Sequence, residues 1–448
     1  MLSGTVMSDL ARRMVAQATQ KGAAMAEAYG LHSKELSIEV AQGAVETMKQ
    51  AEDRGLGLRV FANGRMGYAF TSDLTEGALA LTVEQALANA TYTAADPYHA
   101  LPVPVEKYPD VVTFDGSLDA TAVEAKIALA KEMEAIAKAT DKRIKITERS
   151  AYQDAQYHVS IVNSRGIDVA YRGSYCGAYL FLVAEENGES QTGFSFSYGR
   201  GFGDLQPQKV GREAAEHAVR MLGAKPLAAK RAPVVFDPRV MTQFLGVLAP
   251  TLTAEAVQKG KSMFAGQLTK TVASPLVTLI DDGRLPEGIA SAPFDGEGVP
   301  TSRTVLMDQG VLQTYLYNSY TAAKDRTAST GNGVRGSFKG TPEVGTTNFF
   351  LDAGTLTPEA LIGDVEDGIY VTEVMGMHTA NPISGDFSVG AAGLCIEKGV
   401  LARPFRGAAI AGNLHELLMA IDGVGADLTF FGGKGAPTVR IREMAISG

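Results

Sequence analysis

Three strand-like runs joined by two short turns fill residues 155–199, AQYHVSIVNSRGIDVAYRGSYCGAYLFLVAEENGESQTGFSFSYG. The turns are NSRG and EENGE, and the runs between them are rich in β-branched and aromatic residues. Such runs, bounded by turn residues, are typical of antiparallel strands. The stretch therefore predicts an antiparallel meander, and the single alternation of strands and helices that a βαβ fold needs is missing around it.

The rest of the first half predicts hairpins and helices. We expect an opening helix with Ser8 as its N-cap that runs through Tyr29 and ends at Gly30, because apolar residues recur near helical spacing. Two hairpins, LSIEVAQGAVETMK and LGLRVFANGRMGYAF, follow, and the second turns at Asn63 and Gly64, which tolerate positive φ. Further helices are predicted in TEGALALTVEQALANA, TAVEAKIALAKEMEAIAKAT and PQKVGREAAEHAVRML.

The chain has 448 residues, more than one hydrophobic core normally fills, so we expect two domains. The second half has strand-like hairpins in TSRTVLMDQGVLQTYLYN and GLCIEKGVLARPF, a late helix in NLHELLMAI and a final strand in APTVRIREMAIS. Residues 222–233, LGAKPLAAKRAP, are typical of a domain boundary. The predicted fold class is α+β, with helices, antiparallel hairpins and a meander in an N-terminal domain at 1–225 and a mostly antiparallel β domain at 226–448.

Charge and hydropathy exclude several function classes. The formal net charge is −9 and no Lys/Arg-rich run occurs, so we expect no binding of nucleic acid. No window approaches about eighteen uninterrupted apolar residues, and charges interrupt the first thirty positions, so we expect no membrane span, no signal peptide and a cytoplasmic location. Cys176 and Cys395 lie in separate strand-like runs and are predicted to be two buried thiols.

Three motif-like stretches lack the context that their chemistry needs. Residues 331–336, GNGVRG, match a dinucleotide-binding pattern, but no strand precedes them and no helix follows, so we interpret them as a mobile or substrate-facing loop. Residues 260–262, GKS, lack the earlier glycine of a P-loop, because Glu255 occupies its place. His415 and Glu416 begin a zinc-protease pattern, yet the second histidine that must share the metal is missing.

The other histidines give weak signals. Glu213 and His217 share one face of a predicted helix, as a metal pair could, but charged residues at this spacing usually lie on a solvated face. His378 is close in sequence to Asp386 and Ser388, which leaves open a hydrolase that uses these three residues. Against it stands the absence of a G-x-S-x-G nucleophile elbow, because GDFSVG has the wrong spacing.

Long segments of the second half resemble the TldD/PmbA family, once labelled modulators of DNA gyrase and now regarded as a metalloprotease system. The matching segments are KGKSMFAGQLTKTVASPLVTLIDDG, FDGEGVPTSRTVLMDQGVLQTYLYN, STGNGVRGS, NPISGDFSVGAAGLCIEKG and IAGNLHELLMAIDGVGADL. The opening helix and GLGLRVFANGRMGYAF are similar to the family's N-terminal domain, so the likeness covers nearly the whole chain. It implies the same two-domain α+β architecture.

The TldD branch of that family carries an H-E-x-x-x-H helix just before the segment similar to KGKSMF, and a cysteine ligand near the C-terminus. The corresponding stretch here, residues 242–258, is TQFLGVLAPTLTAEAVQ, which has no histidine and is interrupted by Pro250. Residues 428–437, LTFFGGKGAP, have no cysteine. Leucine, threonine and phenylalanine cannot replace zinc ligands, so the resemblance implies no catalytic residue, no metal ligand and no cofactor in this chain.

What remains resembles the PmbA branch, also called TldE, which is the partner of TldD in a heterodimer. The resemblance implies a noncatalytic subunit of a cytosolic metalloprotease complex that processes or degrades small unstructured peptides, with zinc in the TldD-like partner. A homodimer is possible in isolation. Two alternatives stay open, an independent peptidase or hydrolase and a non-enzymatic regulator that binds DNA gyrase.

Residues 381–393, NPISGDFSVGAAG, combine glycines with polar side chains. Such a stretch is either a tight β corner or the lining of a site where the main chain approaches a bound peptide or a sister subunit. The segment STGNGVRGS allows the same two interpretations. The predicted groove for a substrate or partner comprises Thr330, Gly331, Asn332, Gly333, His378, Asn381, Gly385, Asp386 and Ser388.

Overall fold

The first half folds as one antiparallel sheet of six strands, which are β1 Met25–Ala41, β2 Ala44–Ala62, β3 Arg65–Thr71, β4 Ile144–Asn163, β5 Asp168–Glu186 and β6 Glu189–Gly199. The structure is a computed structural model and describes residues 4–448. The strand order is β3-β2-β1-β4-β5-β6. Left-handed residues hold the tight turns, Asn63 (φ 51°) with Gly64 (φ 72°) and Asn187 (φ 52°) with Gly188 (φ 81°). The predicted hairpins and meander are confirmed.

Helices cover one face of this sheet, and they are α1 Gly4–Gln20, α2 Glu76–Ala90, α3 Ser117–Ala120, α4 Val123–Thr140 and α5 Pro207–Val219. Leu180 and Leu182 on β5 are fully buried among residues of α4 and α5, and burial of each side chain contributes about 1.5–3 kcal/mol. Gly193 on β6 allows α5 to approach the sheet, because a Cβ there would overlap the carbonyl oxygen of Ala214. Helices α1 and α2 pack in the same way on β1 and β2.

The opening helix is shorter than predicted. Helix α1 ends at Gln20, and β1 begins at Met25. Ser8 lies inside α1 and is buried, so its assignment as N-cap is wrong. Tyr29 and Gly30 lie in β1, not in a helix. Strand β1 pairs with β2 on one edge and β4 on the other, so tertiary pairing overrides the helical spacing of its apolar residues.

The second half is richer in strand, and its strands are β7 Lys230–Phe236, β8 Leu279–Asp282, β9 Arg303–Asp308, β10 Val311–Leu312, β11 Gly333–Val334, β12 Glu343–Val344, β13 Phe349–Leu351, β14 Asp367–Met375, β15 Asp386–Glu397, β16 Val400–Asn413, β17 Ile421–Val424, β18 Thr429–Phe431, β19 Lys434–Ala436 and β20 Val439–Ser447. Two six-stranded sheets have the orders β16-β15-β14-β7-β20-β17 and β10-β9-β8-β13-β19-β18, and β11 pairs with β12. Most pairs are antiparallel, whereas β7 with β14 and β13 with β19 are parallel. The predicted α+β fold class is confirmed.

Short helices pack against these sheets, and they are α6 Pro238–Leu248, α7 Ala254–Gln258, α8 Ser319–Asp325, α9 Pro358–Gly363 and α10 Leu414–Ala420. Helix α6 enters the core, where the ring of Phe244 lies 5.0 Å from that of Phe236 and 5.1 Å from that of Phe387. A 3₁₀ turn at 249–252, which contains Pro250, separates α6 from α7. The core therefore fixes the direction of α6, whose first residues face the other half of the chain.

A buried network of charges joins the two halves. Arg59 on β2 donates from Nη2 to Glu27 Oε2 and to Glu297 Oε1, both at 3.0 Å, and Arg335 donates to the other oxygen of Glu27. At most 6% of any of these four side chains is exposed. The first sheet takes its strands from residues 25–199 and the later sheets from residue 230 onward. The predicted division at residue 225 stays a prediction.

Asp295 lies beside this network, and no cation of residues 4–448 pairs with it. Its Oδ1 accepts hydrogen bonds from the main-chain N–H groups of Glu297 (2.8 Å) and Val299 (3.0 Å), and its Oδ2 accepts one from Gly333 (2.8 Å). Burial, with the negative charge of Glu297 as the next contribution, raises the pKa of Asp295. The two guanidinium groups of the network are already paired with Glu27 and Glu297. The carboxyl group of Asp295 therefore has no positive charge to stabilise its ionised form, and its protonated form is favoured.

Two further expectations concern thiols and membranes. Cys176 and Cys395 are buried free thiols, as predicted, and burial raises the pKa of Cys176 to about 12. Along residues 4–448, no helix combines the length and the apolar character that crossing a bilayer requires.

Candidate functional site

A cleft between the two halves contains two adjoining cavities of about 1180 and 550 Å³. Strand β6 of the first sheet forms one side, and the start of α6 with the end of β18 forms the other. Volumes of this size suit a small molecule or a few residues of a peptide. The residues that line both cavities are Phe194, Phe196, Ser197, Tyr198, Arg239, Ile289, Phe431 and Gly432.

The floor of the cleft is aromatic. Phe194, Phe196 and Tyr198 alternate along β6, so their side chains share the face of the sheet opposite to α5. The ring of Phe196 lies 5.7 Å from that of Tyr198, nearly parallel to it, and 5.4 Å from that of Phe431 in the second half. Strand β6 is also the last strand of its sheet, and an edge strand presents main-chain N–H and C=O groups that its own sheet does not use.

Glu213 and His217 on α5 support this floor. Glu213 Oε2 accepts a hydrogen bond from Ser195 Oγ at 2.8 Å, and His217 Nδ1 donates to the carbonyl oxygen of Phe194 at 2.8 Å. Burial lowers the pKa of His217, which favours the neutral ring. Both side chains are half-buried and fasten α5 to β6, so this face of α5 is only partly solvated.

The opposite wall is the N-terminus of α6. Asp237 is its N-cap, and Asp237 Oδ1 accepts a hydrogen bond from the main-chain N–H of Arg239 at 2.9 Å. Pro238 occupies the first helical turn, where a missing N–H costs little. The Tyr370 hydroxyl donates to Asp237 Oδ2 at 2.7 Å, and burial followed by the charge of Asp237 raises the pKa of Tyr370.

Charged groups around the cleft mostly have partners. Arg200 Nη2 donates to the carbonyl oxygens of Pro286 (2.9 Å) and Gly288 (3.3 Å), which ties β6 to the second half. Asp204 accepts a hydrogen bond from the main-chain N–H of Arg200 at 2.9 Å. Arg239 differs, because its guanidinium lies 4.4 Å from the ring centroid of Phe194 and has no hydrogen bond or ion pair within residues 4–448.

Four of the predicted groove residues form a buried turn, and they are Thr330, Gly331, Asn332 and Gly333. Asn332 Nδ2 donates to Asp281 Oδ1 at 2.8 Å and to the carbonyl oxygen of Gly345 at 3.0 Å. Thr330 Oγ1 donates to Asn332 Oδ1 at 2.7 Å. These bonds pack the segment into the second half, and its role in binding a peptide or a partner stays a prediction.

The other predicted groove residues lie in the turn that leads into β15 and in its first residues, and they are His378, Asn381, Gly385, Asp386 and Ser388. Asn381 Oδ1 accepts a hydrogen bond from the main-chain N–H of Ile383 at 2.9 Å, and Asp386 Oδ1 accepts one from Asn413 Nδ2 at 2.9 Å. Gly385 turns the chain with a φ of 84°. The segment is an exposed corner held by its own bonds, and its role as a groove also stays a prediction.

The cleft and the predicted groove are different places. None of the nine groove residues lines either cavity. His378, Asp386 and Ser388 are all exposed, and no hydrogen bond in the described chain joins any two of their side chains. The signal for the cleft was present in GFSFSYG, where three aromatic residues recur at the period of a strand and end at a sheet edge.

Three models of the PmbA/TldA metallopeptidase family match successive parts of the chain, domain 1 at residues 26–90, the central domain at 116–222 and the C-terminal domain at 229–448. Metalloprotease PmbA of Escherichia coli O157:H7 is 31% identical over 421 residues, which cover 92% of this chain and 90% of that protein. The chain belongs to the PmbA/TldD family of metallopeptidases.

Solved structures agree with this PmbA/TldD membership. A protein of Thermotoga maritima described as a modulator of a DNA gyrase is 29% identical, with a TM-score of 0.91, and the likeness covers 98% of this chain and 99% of that one. TldE from Thermococcus kodakarensis superposes with a TM-score of 0.91 at 23% identity, over 98% of this chain and 100% of that one, which is a likeness of fold.

The two segments that were compared above with the expected zinc-binding segments of the TldD branch both lie at this cleft. Residues 242–258 and 428–437 meet here, because α6 packs on β18 and β19. Thr242, Gln243 and Phe431 are the side chains that these segments contribute to the smaller cavity. None of them is a residue type that commonly binds zinc. Across the described residues, no three His, Cys, Asp or Glu side chains are grouped to hold a metal ion.

Proposed function

We propose that this chain is a PmbA/TldE-type subunit that works with a TldD-like metallopeptidase subunit on small, unstructured peptides in the cytoplasm. It binds the peptide and does not cleave it. One observation carries the proposal: a peptide-sized cleft lies where the zinc-binding segments of the TldD branch are expected, and the side chains that those segments contribute to its smaller cavity, Thr242, Gln243 and Phe431, are not common zinc ligands. The 31% identity to metalloprotease PmbA supports the family-level role in peptide hydrolysis.

Strand β6 gives this subunit a way to hold peptides of many sequences. An extended peptide can add to the open edge of a sheet through main-chain hydrogen bonds, which do not depend on its side chains. Alternate peptide side chains would then face Phe194, Phe196 and Tyr198 on one side of the sheet. Such binding requires an unfolded segment, which agrees with a preference for unstructured substrates.

Zinc does not fit the donors of this cleft, so we assign the metal to the partner subunit. Zinc is bound in proteins by His, Cys, Asp and Glu side chains. Carboxylates and one histidine do line the larger cavity, but no three His, Cys, Asp or Glu side chains of the described residues are grouped to hold a metal ion. Asp237, for example, already caps α6 and accepts a hydrogen bond from Tyr370. In the complex, the partner would supply the zinc-activated water, and this subunit would hold the peptide in an extended conformation.

Co-expression with a TldD-like subunit tests the proposal. We expect about one zinc ion per heterodimer and none with this chain alone, and we expect cleavage of an unfolded peptide only when both subunits are present. The matched control is a heterodimer whose TldD-like subunit lacks its zinc-binding histidines, which should bind peptide without cleaving it. Stoichiometric zinc on this chain alone, or cleavage by it alone, would contradict the assignment of roles. Sedimentation of the isolated chain would separate a monomer from the homodimer that we consider possible.

A regulator of DNA gyrase is the second candidate, because the 29% identical protein of Thermotoga maritima is described as a modulator of that enzyme. The net charge of −9 favours contact with the gyrase protein over contact with DNA. Purified gyrase should bind this chain with equal affinity in the presence and absence of the TldD-like subunit if regulation is its function. No binding to gyrase in either condition would remove this candidate.

A further inference from the structure

The smaller cavity is an aromatic chamber with a single charge. Among the described residues that line its 550 Å³, Arg239 is the only charged one. Six rings surround the space, and they belong to Tyr175, Tyr179, Phe194, Phe196, Tyr198 and Phe431. The amides of Gln153 and Gln243 supply further polar groups. A ligand that fits must therefore combine an apolar body with one negative charge.

Arg239 is available to bind that charge. Its main-chain N–H is bonded to Asp237, but its guanidinium has no hydrogen bond or ion pair in the part of the chain that the structure describes. The group is half-buried and stacked on Phe194, and burial lowers the pKa of Arg239, while Glu373 and Asp237 act on it only at a distance. A guanidinium carries five donors, and partly desolvated donors without acceptors are costly, so a carboxylate here would gain charge-assisted bonds.

A comparison with Arg200, another cation of the cleft wall, supports this choice. The guanidinium of Arg200 donates hydrogen bonds to the carbonyl oxygens of Pro286 and Gly288, and this residue lines only the larger cavity. Its role is to join two segments of the protein. Arg239 makes no such link, although it lines both cavities. It therefore stands where the larger cavity opens into the smaller one, free to contact a ligand that enters either.

We propose that the smaller cavity binds the C-terminal residue of a peptide, with its α-carboxylate on Arg239 and an apolar side chain among the aromatic rings. This inference rests on the proposed function, because it assumes that the cleft binds peptides. A chain terminus suits the cavity better than an acidic side chain does, because the last side chain and the α-carboxylate are attached to one carbon atom. The apolar group and the charge can then occupy the ring-lined space and the guanidinium at the same time.

Three labelled peptides of one unstructured sequence ending in phenylalanine test the inference. One has a free C-terminal acid, the second a C-terminal amide, and the third a C-terminal amide with glutamate before the phenylalanine. Fluorescence anisotropy measures their binding to the full chain and to its complex with the TldD-like subunit. We expect the acid to bind at least about tenfold more tightly than either amide, as a charge-assisted bidentate contact allows.

Variants of two arginines identify the group that recognises the acid. In Arg239→Gln the ratio of acid to amide affinity should fall to about one, and in Arg239→Lys it should fall only in part, because lysine keeps the charge but loses the bidentate geometry. Arg231→Gln is the control, since this arginine pairs with Glu443 on the surface of β7, and it should keep the full ratio. Circular dichroism and thermal melting verify that each variant is folded.

The outcomes separate this inference from the proposed function. Equal binding of acid and amide by the unchanged protein would overturn the carboxylate site and leave the peptide cleft intact. Tight binding of the third peptide would also overturn it, in favour of an acidic side chain. An unchanged acid preference in Arg239→Gln would assign the preference to another group. If no peptide binds to the chain or to the complex, both the inference and the proposed function are wrong.

Discussion

Arg59 and Glu297 form a buried ion pair in which Nη2 of the arginine lies 3.0 Å from Oε1 of the glutamate, although the residues are 238 positions apart. Glu297 Oε2 accepts a second hydrogen bond from the main-chain N–H of Ser319 at 2.7 Å. The pair joins the first sheet to the loop region of the second half. The charges of Arg59 and Glu297 neutralise each other only when both halves are folded and in contact.

Replacement of Arg59 by methionine should destabilise the protein by about 3–5 kcal/mol, because Glu297 would stay buried without its cation. Urea denaturation at neutral pH measures this change in the free energy of unfolding. Arg54→Met is the matched control, since Arg54 is an exposed residue of the same strand, and it should change stability by less than about 0.5 kcal/mol. Equal effects of the two substitutions would contradict a structural role for the network.

Stability should depend on pH through Asp281. Burial raises the pKa of this carboxyl from 3.8 to about 6, against the opposing effect of hydrogen bonds from Thr347 and Asn332. A carboxyl with a raised pKa binds its proton more tightly in the folded state, so its contribution is full below the unfolded pKa and is lost as the pH rises toward about 6. The stability of the unchanged protein relative to Asp281→Asn should therefore fall by up to about 3 kcal/mol between about pH 4 and about pH 7.

Urea denaturation of both proteins at several pH values measures that difference. The absolute stability of Asp281→Asn also changes, because an amide cannot replace both acceptor oxygens, but that change is the same at every pH. A difference for Asp281→Asn that stays constant across the range would contradict the raised pKa.

The cleft should lose affinity for peptides when Phe196 is shortened. In Phe196→Ala the rings of Tyr198 and Phe431 lose a shared neighbour, and about three- to tenfold weaker peptide binding is expected from the loss of one or two aromatic contacts. Phe70→Ala is the control, because Phe70 is a half-exposed phenylalanine on β3, the opposite edge of the same sheet. If both variants bind peptide alike, the binding surface is not at β6.

The close packing of α5 on β6 should tolerate no side chain at Gly193. A methyl group there would overlap the carbonyl oxygen of Ala214, so Gly193→Ala should cost about 1–3 kcal/mol or more. Gly77 in α2 is the comparison, since a Cβ at that position meets no atom within 4 Å, and Gly77→Ala should be neutral or stabilising by up to about 1 kcal/mol. Thermal melting of the two variants decides whether close packing or general helix propensity governs these positions.

Local signals were enough to predict the hairpins and meander of the first sheet and helices α2, α4, α5 and α10, whereas helices α6 to α9 and several short strands of the second half were not predicted. The turns at Asn63 and Asn187 are specified by residues that adopt left-handed backbone, and the strands on each side alternate in hydrophobicity. The opening helix was predicted too long, because the alanines near Tyr29 suit both periods and only pairing with β2 and β4 selects the strand. Such a choice depends on contacts that are distant in sequence.

Local patterns give a signal for only one wall of the cleft, the aromatic alternation in GFSFSYG, and none for how its walls come together. Its walls come from β6, α6 and β18, which meet only through the packing of the two halves. We predicted the binding groove in the glycine-rich segments instead. A permissive backbone is typical both of binding loops and of tight corners, so glycine content alone does not distinguish them. The burial of Glu27 and Arg59 could not be predicted from the sequence either, because charged residues in a strand are usually interpreted as exposed.

The four buried charges pair across the two halves, Arg59 with Glu297 and Arg335 with Glu27. This pairing limits where the chain can be divided into separate fragments. A fragment that starts near residue 229 would contain Glu297 and Arg335, which are not bonded to each other and would both lose their counter-ions. Either fragment made separately would also expose apolar residues that the two halves bury against each other, such as Tyr29 and Phe338, so neither is expected to keep the fold that it has in the whole chain. Structural or binding studies should therefore use the uninterrupted polypeptide.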